Sequence, residues 1–388
     1  MPDLTHVLDV QGWTAPGLEH ALDVARADLA SGAEVGLSVC AVHDGEMIVD
    51  IWGGLADVTS GTPWVRDTIV NTFSITKTMV ALCALLLVDA GELDLDAPVA
   101  RYWPQFAAAG KQDVLVRHLL SHTSGVAGWQ QPVTIADICD VERATEMLAA
   151  QQPWWTAGDG SGYHTLTQGH LVGAVIQRIT GRSLGAFFAE TVTGPLGADF
   201  HIGTPASCDE RIARLVAPPP GNVDYSLIPA DSIMGKALLN PAVPVSQIET
   251  PTWRRAELGA ANGHGNARSV ASIQAVVSGA GPSGPVTLKG STLERIFDVQ
   301  ADGLDRVLGM PLRFGIGYGL PHATSVPEIP TGRVCWWTGY GGSLVVNDLD
   351  RRLTVAYVMN KMGSALVGLG RAGRYVRAVY AALDGAQG

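Results

Sequence analysis

Lysine is scarce in this sequence: five residues against 21 arginines in a chain of 388. No run of Lys and Arg forms a basic block, and the net charge is −11. That argues against a nucleic-acid partner, which needs clustered cations to meet phosphates. Beyond solubility, the charge says nothing more. Long hydrophobic runs are also lacking. The longest, Met79–Val88, has ten residues, where a membrane-spanning helix needs about 20. The first residues, MPDLTHVLDVQGW, carry neither a basic start nor an apolar stretch, so we expect no secretory signal. Cysteine is sparse and unpatterned: Cys40, Cys83, Cys139, Cys208 and Cys335 are odd in number, scattered, and contain no C-x-x-C pair. Free buried thiols in a reducing cytoplasm fit this better than a disulfide framework or a zinc site. Cys83 sits inside the apolar run, where a thiol is usually inert.

What is present is a well-buried globular chain, 47% hydrophobic, long enough for one large or two interleaved domains. Residues 34–54, EVGLSVCAVHDGEMIVDIWGG, predict two Val- and Ile-rich strands around a turn at HDGE. The segment after Ser74 predicts a helix apolar all round, hence buried on every side, with Gly91 as its stop. Residues 96–260 are mostly helical in pattern, including a helix over 166–181, with a proline-rich stretch over 217–253 read as irregular and mostly surface. A helix over 267–280 follows. Then FGIGYGL, VCWWTGYGGSLVVND and RLTVAYVMN read as three successive strands, the last two joined by a turn at Asp348–Arg351, and a helix over 367–383 closes the chain. Strands at both ends with helices between give an α+β fold. One antiparallel sheet is built from 1–95 and 261–388, with 96–260 inserted as a helical domain and a cleft between the two.

One lysine stands out. In NTFSITKTMVALCALLLVDAGELDL (71–95), Lys77 follows Ser74 by three residues, which no other lysine does with a serine. On a helix, positions three apart share a face. Ser74 as a plain helix cap is the competing reading. A capping box, however, wants Glu or Gln where Lys77 stands, and a cation there opposes the helix dipole. A serine hydroxyl needs a base to take its proton, and only neutral lysine serves. With a reference pKa of about 10.4, roughly one free lysine in a thousand is neutral near pH 7.5. Lowering that pKa by about 3 units costs on the order of 4 kcal/mol, which an apolar setting and a helix N-terminus both favour.

Five segments in order strengthen this reading. Residues 67–106 (DTIVNTFSITKTMV…YWPQF), 116–129 (VRHLLSHTSGVAGW), 162–188 (GYHTLTQGHLVGAVIQRITGRSLGAFF), 263–276 (GHGNARSVASIQAV) and 337–346 (WTGYGGSLVV) resemble landmarks of the serine β-lactamase-like superfamily. The likeness is greatest to its class C β-lactamase-like carboxylesterases, the family VIII esterases. The resemblance implies a β-lactamase-like fold and a serine carboxylesterase acting on small or short-chain esters without metal or cofactor. It puts Tyr163 in the place of the catalytic tyrosine beside Ser74 and Lys77. Trp337, Gly339 and Tyr340 edge the substrate, and the amides of Ser74 and Tyr340 form an oxyanion hole. Two departures count against β-lactams. Where β-lactamases have Y-x-N, this chain has Tyr163-His164-Thr165, and the K/H-T-G triplet reads Trp337-Thr338-Gly339, without a cation for a carboxylate. Trp337 then offers an apolar wall to the acyl or alcohol group, to which Trp154, Trp155, Trp253, Tyr318 and Trp336 are candidate additions.

Other motifs weigh less. GRSLG (181–185) matches the G-x-S-x-G elbow, but a helical pattern precedes it where that elbow needs a strand. Gly181 reads as a helix stop and Ser183 as a cap. His118 and His122 have ligand spacing without the glutamate of H-E-x-x-H, and read as structural. His164 is given no role, and GAGPSG (279–284) reads as a turn. The rivals are β-lactam or amide hydrolysis by the same residues, and an inactive scaffold.

Overall fold

The computed structural model of the chain describes residues 9–218, 227–281 and 284–385. The chain opens with strand β1 (Val10–Thr14) and helix α1 (Glu19–Ala30), followed by the hairpin β2 (Gly36–His43) and β3 (Glu46–Asp57). Short strands β4 (Thr62–Pro63) and β5 (Val70–Asn71) lead into α2 (Thr76–Asp89). The middle holds α3 (Val116–Leu120), α4 (Ile135–Cys139), α5 (Val141–Ala150), the long α6 (Thr167–Thr180), α7 (Leu184–Phe188) and α8 (Gly194–Leu196). Strand β6 (Phe200–His201), helices α9 (Ile233–Leu239), α10 (Val245–Ile248) and α11 (Pro251–Arg255), and strand β7 (His264–Gly265) follow. The rest comprises α12 (Ala267–Ser278), α13 (Gly290–Arg295), the hairpin β8 (Ala301–Leu304) and β9 (Pro311–Phe314), strands β10 (Val334–Thr338), β11 (Leu344–Asp348) and β12 (Leu353–Met359), and α14 (Ala372–Gly385).

Both ends of the sequence build one antiparallel sheet, in the order β1–β3–β2–β12–β11–β10 with β4 beside β3. The seam is β12 against β2, running from Leu353 opposite His43 to Met359 opposite Leu37. Side chains alternate across a strand, and here both faces are covered. Leu353, Val355, Tyr357 and Met359 of β12 enter the core beneath α1 and α14, whereas Ala356 and Val358 enter the core around α2 and α12. A mixed α+β architecture, with one antiparallel sheet covered on both faces, is thus in place. Helix α2 lies at its centre: Ile75 and every residue from Met79 to Leu85 are fully buried, as an all-round apolar sequence requires.

Several elements differ from expectation. FGIGYGL is not a strand: only Phe314 belongs to one, and Gly315 to Leu320 fold back through a bond from the Gly315 amide to the Tyr318 carbonyl. A Cβ at Gly315 would lie 1.9 Å from the Ile296 carbonyl oxygen, so this glycine serves a close approach of two backbones. VCWWTGYGGSLVVND is two strands, β10 and β11, broken by a turn in which Gly341 and Gly342 take positive φ. The described part of the stretch over 217–253 is mostly exposed or half-exposed, as expected, but it is less irregular than expected. It carries α9, α10 and α11, and Trp253 is 1% exposed. Residues 219–226 of that stretch, Pro282 and Ser283 of GAGPSG, and the first eight residues lie outside the described ones. The closing helix begins at Ala372, five residues later than the pattern predicts. Gly181 at φ +70° ends α6, and the Ser183 hydroxyl accepts the Ala186 amide to cap α7, as expected.

One buried carboxylate ties the chain ends together. Glu34, beside β2, accepts the Tyr357 hydroxyl and lies 3.1 Å from Arg371 Nε, with its second oxygen unpartnered among the described residues. Burial outweighs Arg371 and Tyr357 and pushes the Glu34 carboxyl up to about 7. The folded state therefore holds this proton more tightly than the unfolded chain, whose ordinary value is 4.5. Stability from Glu34 is complete below pH 4.5 and is lost as pH rises to about 7. At ~1.36 kcal/mol per unit this amounts to at most about 3 kcal/mol. The thermal stability of wild type relative to Glu34→Gln should therefore fall between pH 5 and pH 8. A stability difference that is constant with pH would contradict this.

Candidate active site

Ser74, the expected nucleophile, sits on a strained turn. Thr72 donates its amide to Gly263, and β5 pairs with β7, which fixes residues 70–72. Phe73 then turns the chain with φ +49°, a conformation that bulky residues rarely adopt and that clusters at functional sites. Its ring meets Tyr340 edge-on at 5.6 Å. Three successive i→i+3 bonds, from the amides of Ile75, Thr76 and Lys77 to the carbonyls of Thr72, Phe73 and Ser74, wind the chain into α2. Ser74 does not cap that helix: no side-chain cap bond is made at its start. Its hydroxyl faces Lys77 instead, with Nζ 3.1 Å from Oγ.

Lys77 is 1% exposed and has no carboxylate partner among the described residues. Its Nζ has two further contacts, both at 2.8 Å: the carbonyls of Thr165 and Ala260. Burial with nothing to neutralise it drives the ammonium pKa well below the ordinary lysine range. A neutral amine has two N–H groups and one lone pair. The two carbonyls accept the two N–H groups, and the lone pair is left for the Ser74 hydroxyl. The Ala260 carbonyl reaches this place because α6 presents Gly169 to it. A Cβ on Gly169 would stand 2.3 Å from the Ala260 nitrogen.

Tyr163 completes the group. Its phenol lines the same cavity end as Ser74 and accepts the Trp337 indole N–H at 3.1 Å, and Lys77 Nζ lies 4.7 Å from the ring centre. Burial, only partly offset by Ser74 and Trp337, raises the phenol above its ordinary pKa, so it holds its proton. Two histidines back the tyrosine. The His122 ring lies 4.7 Å from the Tyr163 ring, and its Nδ1 accepts the His164 amide. His164 donates from Nδ1 to the Gly162 carbonyl and accepts from Ser124 at Nε2, since a carbonyl can only accept. Burial pushes His164 down to about 3 and His122 well below its usual value, leaving both rings neutral.

Ser74 and Tyr163 open into a cavity of about 430 Å³. Its walls are Leu166, Ala237–Leu239, Pro241–Pro244, Ile248, Trp253, Tyr340 and Leu366, and among the described residues no Lys, Arg, Asp, Glu or His lines it. A larger cleft of about 690 Å³, around Arg178, Arg255 and Glu257, shares no residue with this site.

The structure therefore brings together Ser74, Lys77, Tyr163 and Tyr340. Trp337 is placed differently from expectation: at 3% exposure it stands behind Tyr163 and does not line the cavity. Gly339 does not line it either. It lets β10 touch the nucleophile turn, because a Cβ there would lie 2.2 Å from the Thr72 carbonyl oxygen. Of the other aromatic candidates only Trp253 reaches the cavity. Trp336 faces the opposite core, and Tyr318 bonds Thr78 and Gln274 beneath α2. His118 and His122 share no ligand geometry: His118 Nδ1 accepts the Leu115 amide, and no metal-holding group of His, Cys, Asp or Glu occurs among the described residues. Sequence reasoning missed the cavity wall over 237–248, whose prolines read as surface, and the packing of His122 on Tyr163.

The chain is similar to known proteins over most of its length. The beta-lactamase family model covers residues 22–379. A Mycobacterium tuberculosis protein named "Esterase/beta-lactamase LipL" is 33% identical over 363 residues, 90% of this chain and 82% of that protein. The crystal structure of a family VIII carboxylesterase superposes with a TM-score of 0.89 at 36% identity, covering 96% of this chain and 99% of that one. A penicillin-binding protein homologue from Caulobacter crescentus superposes with a TM-score of 0.86 at 32% identity, over 96% and 100% of the two chains.

The Gly339 contact is testable on its own. Gly339→Ala must push β10 away from the Phe73–Ser74 turn. We expect a loss of about 1–3 kcal/mol in stability by chemical denaturation, together with a lower rate of Ser74 labelling by a fluorophosphonate. Wild-type values for both would show that the turn tolerates the displacement.

Proposed function

Because the chain belongs to the beta-lactamase family, we propose that it is a serine carboxylesterase that cleaves small, uncharged esters through an acyl-enzyme on Ser74. The observation that carries this reading is the Lys77 amine, buried without a counter-charge, its N–H groups taken by two carbonyls and its lone pair facing the Ser74 hydroxyl. Lys77 takes the hydroxyl proton as Ser74 Oγ attacks the ester carbonyl. The amides of Ser74 and Tyr340, at the same end of the cavity, receive the oxyanion. Tyr163 passes its proton to the departing alkoxide and regains one from Lys77. Water then clears the acyl group by the same route, restoring Ser74.

The cavity favours esters over β-lactams. Its lining is apolar and holds no cation for a carboxylate, in keeping with Trp337 standing where the K/H-T-G triplet has a charge. The esterase names carried by the Mycobacterium tuberculosis relative and the family VIII structure point the same way. Hydrolysis of β-lactams or of D-amino-acid amides by the same residues is the second reading, and it draws on the other half of that relative's name. Within this reading, residues 1–95 and 261–388 form the sheet domain and 96–260 the inserted domain that roofs the cleft. A cytoplasmic location accords with five cysteines that are all free. Among the described residues no helix is long and apolar enough to cross a membrane.

Turnover of a short-chain nitrophenyl ester should exceed that of nitrocefin by several orders of magnitude in kcat/KM. Ser74→Ala should lower the ester rate by roughly 10³-fold or more and abolish the fluorophosphonate adduct on the Ser74 peptide. An unlabelled wild type would favour an inactive scaffold, and faster nitrocefin turnover would favour the second reading.

The pH profile carries a sign. Protonated Lys77 cannot act as base, so kcat/KM should rise with pH through the lowered lysine pKa and level off above it. That ascending limb should lie well below the ordinary lysine range, where Lys77 stands displaced by burial. A limb near pH 10.5, the unshifted value, would remove Lys77 from the role of base.

A further inference from the structure

Tyr163 sits in a segment, from Pro153 to Leu166, with no helix or strand of its own. Something outside the segment must hold it. The tip of the β8–β9 hairpin does so. The Arg306 amide donates to the Ser161 carbonyl at 3.0 Å, and the Arg306 guanidinium lies over the Trp155 ring at 5.2 Å. Asp305, fully buried, receives the Tyr163 amide on Oδ1 at 3.0 Å. The same oxygen accepts the amides of Val307 and Leu308, each at 2.9 Å. Its other oxygen, Oδ2, has no partner among the described residues.

A hairpin turn needs only the last two of those bonds, the familiar Asp-to-backbone pattern of turns. The bond to Tyr163 crosses 142 residues of sequence, and a buried carboxylate with an unmet oxygen is costly to keep for a turn alone. We propose that Asp305 is a positioning residue of the reaction: its carboxylate anchors the Tyr163 backbone so that the phenol stays between Ser74 and Trp337. Two fixed points then define the ring, the amide at one end through Asp305 and the hydroxyl at the other through Trp337. Displacing either end by about 1 Å is enough to cost up to ~10²-fold in a proton transfer.

This inference rests on the proposed role of Tyr163 as the acid that protonates the leaving alkoxide, and the test exploits that role. A nitrophenolate leaves with little help, whereas an ethoxide needs the proton. The measurement compares kcat/KM for the nitrophenyl and ethyl esters of one short-chain acid. Asp305→Ala removes the anchor, and Asp305→Glu keeps the charge but lengthens the arm by one methylene. Both should lower kcat/KM for the ethyl ester at least tenfold more than for the nitrophenyl ester. Asp305→Asn keeps an acceptor over the three amides and should return the ratio to within about threefold of wild type. If Asp305→Ala does not fold, the Glu and Asn variants decide. An unchanged ratio in a folded Ala or Glu variant, or equal losses on both esters, would overturn the assignment by reducing Asp305 to a structural turn residue. Failure of the wild type on both esters would instead defeat the esterase reading itself.

Discussion

A buried lysine amine, with no negative charge among the described residues near enough to satisfy it, is the constraint on which this molecule turns. An isolated ammonium in such a place is strongly disfavoured, and the group neutralises rather than bear the desolvation. The fold meets that condition with backbone alone. Carbonyls from Thr165 and Ala260, far apart in sequence from Lys77 and from each other, converge on Nζ at equal distances. Each depends on a separate device: the loop that follows Tyr163 for the first, and the missing side chain of Gly169 for the second. The apolar α2 is thus more than filler, since a carboxylate in that helix facing Lys77 would restore the charge.

The same economy governs the surroundings. His122 and His164 lie close enough to compete for protons, yet both are held neutral by burial, and the second has its tautomer fixed by a carbonyl and a hydroxyl. The cavity beyond Ser74 presents hydrocarbon almost everywhere. Polarity is concentrated at the one end where bonds are to be made and broken, which strengthens each hydrogen bond there and leaves little for a charged ligand to hold.

Much of this was legible in the sequence, for identifiable reasons. Ser74 and Lys77 announced themselves because a helix forces neighbours three apart onto one face and because a lysine there violates capping chemistry. The two-ended sheet was legible from Val- and Ile-rich segments at both termini. Strand β1 and helix α1 were missed, since short stretches rich in polar residues carry little periodic signal. Glycines misled in both directions. At Gly315 they belong to a fold-back and not to a strand, and at Gly341 and Gly342 they split what looked continuous. The prolines at 241 and 244 read as surface punctuation, but they line the cavity, because a rigid segment with two fewer amide donors suits an apolar wall as well as it suits a turn. Trp337 was assigned to the wrong side of Tyr163. No sequence pattern states which of two aromatic residues stands in front.

The seam between β2 and β12 also governs how the chain is made. During synthesis the first hairpin emerges long before its neighbour, so the β2 edge stays open, with unmet amides and carbonyls, until β12 has followed. Such distant pairing is slow to find and prone to capture by other chains. Until β12 arrives the sheet is unclosed, so the β2 edge is the part of this fold most exposed to wrong pairing.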